Sequence, residues 1–93
     1  MKYNTNRTLE SYQWAIDIIR NNGFKLIGVC QMLMEDTFIF ETDEEAIQAH
    51  SKLENTENSE VVGFWYGKDE FEQARKKYEA QSDGFKLNIH WLL

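Results

Sequence analysis

The stretch from Phe24 to Met34 constrains this chain more than any other, because it is apolar on both sides of the strand it can form. Strict alternation puts Phe24, Leu26, Gly28, Cys30, Met32 and Met34 on one side and Ile27, Val29 and Leu33 on the other. A strand with two apolar faces is stable only where another layer lies over each of them, so it belongs in the interior of a sheet. Gly28 interrupts the run, and a glycine inside a strand pattern marks a place where a bulge can shift the register.

The segments around this strand supply the layers. Leu9, Tyr12, Ala15, Ile16 and Ile19 recur at the i, i+3, i+4, i+7 spacing of an amphipathic helix, with Thr8 as N-cap and Asn22-Gly23 as the left-handed end, which predicts a helix over 9–21. Beyond the central strand, Glu35-Asp36 reads as a turn and Thr37-Phe38-Ile39-Phe40-Glu41 as the returning strand of a hairpin. Thr42 and Glu45 then form a capping box, in which the hydroxyl takes the Glu45 amide and the carboxylate reaches back to the Thr42 amide. Ala46, Ala49, His50 and Leu53 lie on one stripe behind it, and residues 55–59 read as a polar loop.

The second half repeats the logic. Val61 to Tyr66 suits a strand that Gly67 breaks, and Phe71, Ala74 and Tyr78 mark the buried stripe of a third helix. Asp69, Glu70 and Glu72 lead that helix and Arg75, Lys76 and Lys77 trail it, as its dipole favours. Asp83-Gly84 is a turn, after which Phe85, Leu87, Ile89 and Trp91 alternate with Lys86, Asn88 and His90, placing His90 on the solvent side of a half-exposed last strand. The order α-β-β-α-β-α-β implies an α+β fold with one four-stranded, mainly antiparallel sheet and about three helices, compatible with a rearranged ferredoxin-like sandwich.

The 93 residues are expected to form a single domain, 1–93, and a 42% hydrophobic composition supplies its core without staples. No stretch approaches the roughly 20 apolar residues of a membrane span, and the N-terminal segment carries no apolar run of the kind a secretory signal needs. Cys30 is the single cysteine, so an intramolecular disulfide is impossible and a reducing, cytoplasmic setting is expected. In its strand it reads as a small buried hydrophobe.

Charge is distributed unevenly. Between Glu35 and Glu60 stand nine acids against the single base Lys52, a local charge of −8, while the remainder, with nine bases and seven acids, carries +2. Such a field repels nucleic acid and steers the chain toward a basic surface on another protein; with no apolar span, no membrane partner is expected. The residues expected to make that contact are Glu35, Asp36, Asp43, Glu44, Glu45, Glu54 and Glu57.

Signatures of chemistry are few. His50 and His90 have no His or Cys partner at a metal-ligand spacing, so neither a metal nor a cofactor is expected, and no nucleophile elbow or phosphate-cradling glycine loop is present. The residues favour a non-catalytic acidic protein-binding module, an inhibitor or adaptor engaging a basic site, over an enzyme. The alternative is a small-ligand-binding or catalytic domain using a pocket near Cys30, His50 or the aromatic strand Phe64-Trp65-Tyr66. Self-association as a homodimer through an uncovered sheet face is a third expectation.

Overall fold

The structure, a computed structural model, describes residues 8–54, 61–81 and 86–92. A 3-10 turn at Leu9–Tyr12 leads into α1 (Gln13–Asn21), then β1 (Leu26–Met32), β2 (Glu35–Phe40), α2 (Asp43–Glu54), β3 (Phe64–Gly67), α3 (Lys68–Gln81) and β4 (His90–Trp91). The α+β class and the element order are those the sequence predicts. The strands lie in the order β3-β2-β1-β4. β1 pairs antiparallel with β2 and with β4, whereas β2 and β3 run parallel, so the sheet is mixed. The parallel pair follows from its connection, since α2 carries the chain back to the starting end of β2 before β3 begins. β3 lies directly beside β2, with no strand inserted between them.

Helix α1 ends as the sequence predicts but begins differently. Gly23 adopts φ +92°; its amide bonds to the Arg20 carbonyl and the Phe24 amide to the Ile19 carbonyl, at 3.0 and 3.4 Å. This is the paired closure that a left-handed glycine permits at a helix C-terminus. At the other end Thr8 makes no side-chain cap. Its carbonyl instead accepts from the Ser11 amide at 3.0 Å and the Ser11 hydroxyl at 2.7 Å, and the first turn is wound as a 3-10 segment. Leu9 is left exposed, while Tyr12, Ala15, Ile16 and Ile19 are buried.

The alternation of β1 breaks at the glycine. Leu26 pairs with Phe40 and Gly28 with Ile39, so Ile27 is an extra residue in the ladder. Leu26 and Val29 therefore share a face, and Ile27, Cys30 and Met32 share the other. The even-numbered face expected from strict alternation is split at this bulge. A second correction concerns the hairpin. Glu35 and Asp36 are strand residues, and the turn is Leu33-Met34, with φ of +53° and +64°. Met32 pairs with Glu35 across this two-residue loop. Positive φ at both central residues is the geometry whose twist matches a hairpin, ordinarily supplied by Asn-Gly.

Each face of the sheet is covered. On one side Leu26, Val29, Phe38 and Phe40 pack with Tyr12, Ala15, Ile16 and Ile19 of the N-terminal helix and Ala46, Ala49 and Leu53 of α2. On the other side Ile27, Cys30, Met32 and Ile39 pack with Phe71 and Tyr78 of α3 and with Leu87. The face opposite α1 and α2 is thus packed against α3 and Leu87. β3 begins at Phe64 rather than Val61, and Gly67 is its last residue, not its break. β4 is limited to His90 and Trp91. The loop at 55–59, the turn at 83–84 and Phe85 lie outside the described residues.

Candidate functional site

The strand directions place two helix starts at one end of the sheet. β2 and β3 run parallel, so α2 and α3, which follow them, both begin at the C-terminal ends of these strands. Gly67 is what lets them meet. A Cβ there would overlap the Asp43 amide, the Asp43 carboxylate and the Thr42 carbonyl carbon, so only glycine allows the end of β3 to approach the first turn of α2. The result is a pole where exposed Glu41, Asp43, Glu44, Asp69 and Glu70 lie on neighbouring segments. Each acidic first turn opposes the positive end of its own helix dipole. Lys68 is the base among them, and its ammonium reaches Glu41 Oε1 at 3.6 Å, an exposed and therefore weak pair.

Glu45 belongs to the same turn but is engaged inward. Its amide donates to Thr42 Oγ1 at 3.1 Å, the predicted half of the capping box. Its carboxylate accepts from the Lys25 amide at 2.7 Å, on the approach to β1, in place of the Thr42 amide. Lys52, the base of the acidic segment, turns the other way. Its ammonium donates to the Asn22 carbonyl at 3.3 Å and sits 5.6 Å from the centre of the Phe24 ring. It caps α1 and leaves Asp43 and Glu44 without an ion pair among the described residues.

The predicted contact residues therefore divide. Asp43, Glu44 and Glu45 come together at the start of α2, whereas Glu35 and Asp36 stand at the opposite end of β2, about 17–20 Å along a strand of this length. Glu54 closes α2 at that far end, and Glu57 lies outside the described residues. Asp69 and Glu70 were not among the predicted contact residues, because the sequence around them is charge-balanced. Only the parallel pairing of β2 and β3 brings them beside Asp43. No group of three or more acids, histidines or cysteines among the described residues is arranged to hold a metal ion.

The residues expected to carry chemistry are kept apart. Cys30 is buried on the α3 side, and burial, with the Asp36 charge adding and a Thr37 hydrogen bond opposing, pushes its thiol up to about 12. A thiol held protonated is a poor nucleophile. His50 is exposed on the α2 side, its ring stacked on Trp65 with centroids 5.2 Å apart and planes within 8°. His90 faces the α1 side, with its ring 6.1 Å from Tyr12, rather than the solvent. Cys30 and either histidine thus lie on opposite faces of the sheet.

The aromatic strand is occupied by its own chain. Trp65 stacks with Phe40 at 5.9 Å and packs against Phe38 at 5.0 Å, while Phe64 and Tyr66 stack at 6.0 Å on the other face. All three side chains are half-buried. A groove does open beside Tyr66, between the hairpin tip and α3. No helix among the described residues is long and apolar enough to cross a membrane. Comparison with family models, with characterised proteins and with solved structures found no match to this chain.

Proposed function

We propose that this chain is a non-catalytic acidic protein-binding module, an inhibitor or adaptor that works in the cytoplasm by engaging a basic site on a partner protein. The observation that carries this reading is the pole formed by the first turns of α2 and α3. There Asp43 and Glu44 are exposed and make no ion pair among the described residues, and Asp69 and Glu70 stand beside them. Helix starts ordinarily attract anions; covered by carboxylates, these attract cations instead. Opposed potentials of this kind raise association rate and selectivity more than they raise affinity.

Support for the cytoplasmic setting is indirect: Cys30 is a free, buried thiol that contributes packing. The separation of Cys30 from both histidines supports a binding role over catalysis. The test starts from a partner recovered with the chain from lysate. Converting Glu41, Glu44 and Glu70 to Lys together should slow association about tenfold or more at low salt and flatten its salt dependence, whereas Glu10→Lys with Asp17→Lys on the α1 side should not. An association rate and salt slope unchanged by the first set, in a variant that keeps its circular dichroism, rules the reading out.

A further inference from the structure

The groove beside the hairpin tip has a volume of about 350 Å³ and is built from three elements. Met32 and the turn residue Leu33 form one wall, Tyr66 of β3 lies at its base, and Ala74 and Tyr78 of α3 form the other wall. Lys77 and Gln81 complete the lining. Ala74, Lys77, Tyr78 and Gln81 follow the i, i+3, i+4, i+7 spacing, so they are one stripe about 10 Å long on the second half of α3. The walls are mainly apolar, and the polar groups are few.

Lys77 is the base that lines the groove, and like Lys76 it makes no ion pair among the described residues. Arg75 pairs with Glu72 at 2.6 Å and reaches Glu79 at 3.8 Å, and Lys86 reaches Glu79 at 3.8 Å. Glu79 also accepts from the Leu87 amide at 3.0 Å. Glu72 and Glu79 are thus committed, the Glu70 charge reaches the groove at Tyr66, and Lys77 is exposed without an ion pair among the described residues. Leu33 adds a second observation. It is held at φ +53° in a turn that would be easier with Asn or Gly, and 55% of its surface stays exposed on the groove wall.

We propose that this groove binds a small amphipathic monoanion, with an apolar body no larger than a medium-length acyl chain and one carboxylate. The body lies between the hairpin and Ala74, where it covers Leu33. The carboxylate meets Lys77, and Tyr66 and Gln81 carry the hydroxyl and amide donors that can complete its shell. The volume sits near the lower end of the roughly 300–1,000 Å³ of small-molecule sites, which selects a small ligand. The groove adjoins the acidic pole at Tyr66, which the Glu70 charge reaches, but the two readings rest on different side chains and are tested by different experiments.

A lysine in the second half of a helix is also favoured by the dipole, so the test must separate a ligand contact from helix chemistry. The full chain, isotope-labelled, is titrated with octanoate, with 1-octanol and with octylammonium while amide resonances are followed. Octanoate should give saturable shifts confined to Leu33, Tyr66, Ala74 and Lys77. Lys77→Gln should weaken octanoate about tenfold and leave octanol unchanged, Ala74→Met should block both by filling the groove, and octylammonium should bind at least tenfold more weakly than octanoate. The proposal fails if octanoate does not saturate below its micellar range, if shifts scatter over the surface, if Lys77→Gln affects octanoate and octanol equally, or if octylammonium binds as well.

Discussion

The Glu45 carboxylate accepts the Lys25 amide at 2.7 Å, joining the first turn of α2 to the chain that enters β1. One side chain thus serves two elements, because the Glu45 amide is itself held by Thr42 Oγ1. Thr42→Ala should cost about 1 kcal/mol, the usual worth of an N-cap. Glu45→Ala should cost a similar amount, about 1 kcal/mol for a hydrogen bond at a partly exposed site, and should in addition speed exchange of the Lys25 amide. Urea unfolding gives the first quantity and hydrogen exchange the second. Equal exchange at Lys25 in both variants would show that the Glu45 link does not hold β1.

Leu33 and Met34 invert the usual logic of a tight turn. Two non-glycine residues with positive φ should each cost on the order of 1 kcal/mol relative to residues suited to that region. Replacing the pair by Asn-Gly is therefore expected to stabilise the fold by about 1–2 kcal/mol, with an unchanged denaturant slope. A lower midpoint would mean that the side chains contribute more to packing than their exposures of 55% and 73% suggest.

Cys30 makes stability depend on alkaline pH. Its thiol rises from an ordinary 9.0 to about 12 in the fold, mainly through burial. Below pH 9 both folded and unfolded chains keep the proton, and the contribution is fully present. Between pH 9 and about 12 the unfolded thiol ionises and the folded one does not, so stability falls by about 1.4 kcal/mol per pH unit. Tyr66 is also raised from its ordinary 10.0, by burial first and by the Glu70 charge second, and adds its own loss at higher pH. Cys30→Ala should remove the thiol's share and leave that of Tyr66. Unfolding free energies at several pH values between 8 and 11 test this, and parallel curves for the two proteins would refute it.

What was legible in the sequence was whatever depends on local chemistry. The apolar stripes of the three helices, the Asn22-Gly23 ending and the Thr42 start are short-range patterns, and the structure follows them except at Leu9 and His50, which stay exposed, and at the Glu45 carboxylate, which takes the Lys25 amide. The hairpin turn was misplaced because Leu33-Met34 carries none of the residues that announce a turn, while Glu35-Asp36 carries two polar ones. The faces of β1 were misassigned because an inserted residue leaves no trace in composition; Gly28 marked the place but not the direction of the shift. Alternation alone points His90 to the solvent, whereas register against Val29 sets it beside Tyr12. The pole was only half visible, since Asp69 and Glu70 join it through the parallel partnership of distant strands, which spacing along a chain cannot reveal.

β1 takes part in both apolar layers at once, with Leu26 and Val29 in one and Ile27 and Cys30 in the other, as β2 does through Phe38 and Phe40 on one side and Ile39 on the other. Neither layer owns a strand that the other could lose. Melting the packing under α1 and α2 withdraws the backbone on which α3 rests, and the converse holds. A molecule with two separate cores is thereby made to unfold as one unit, and partial opening is left to its margins.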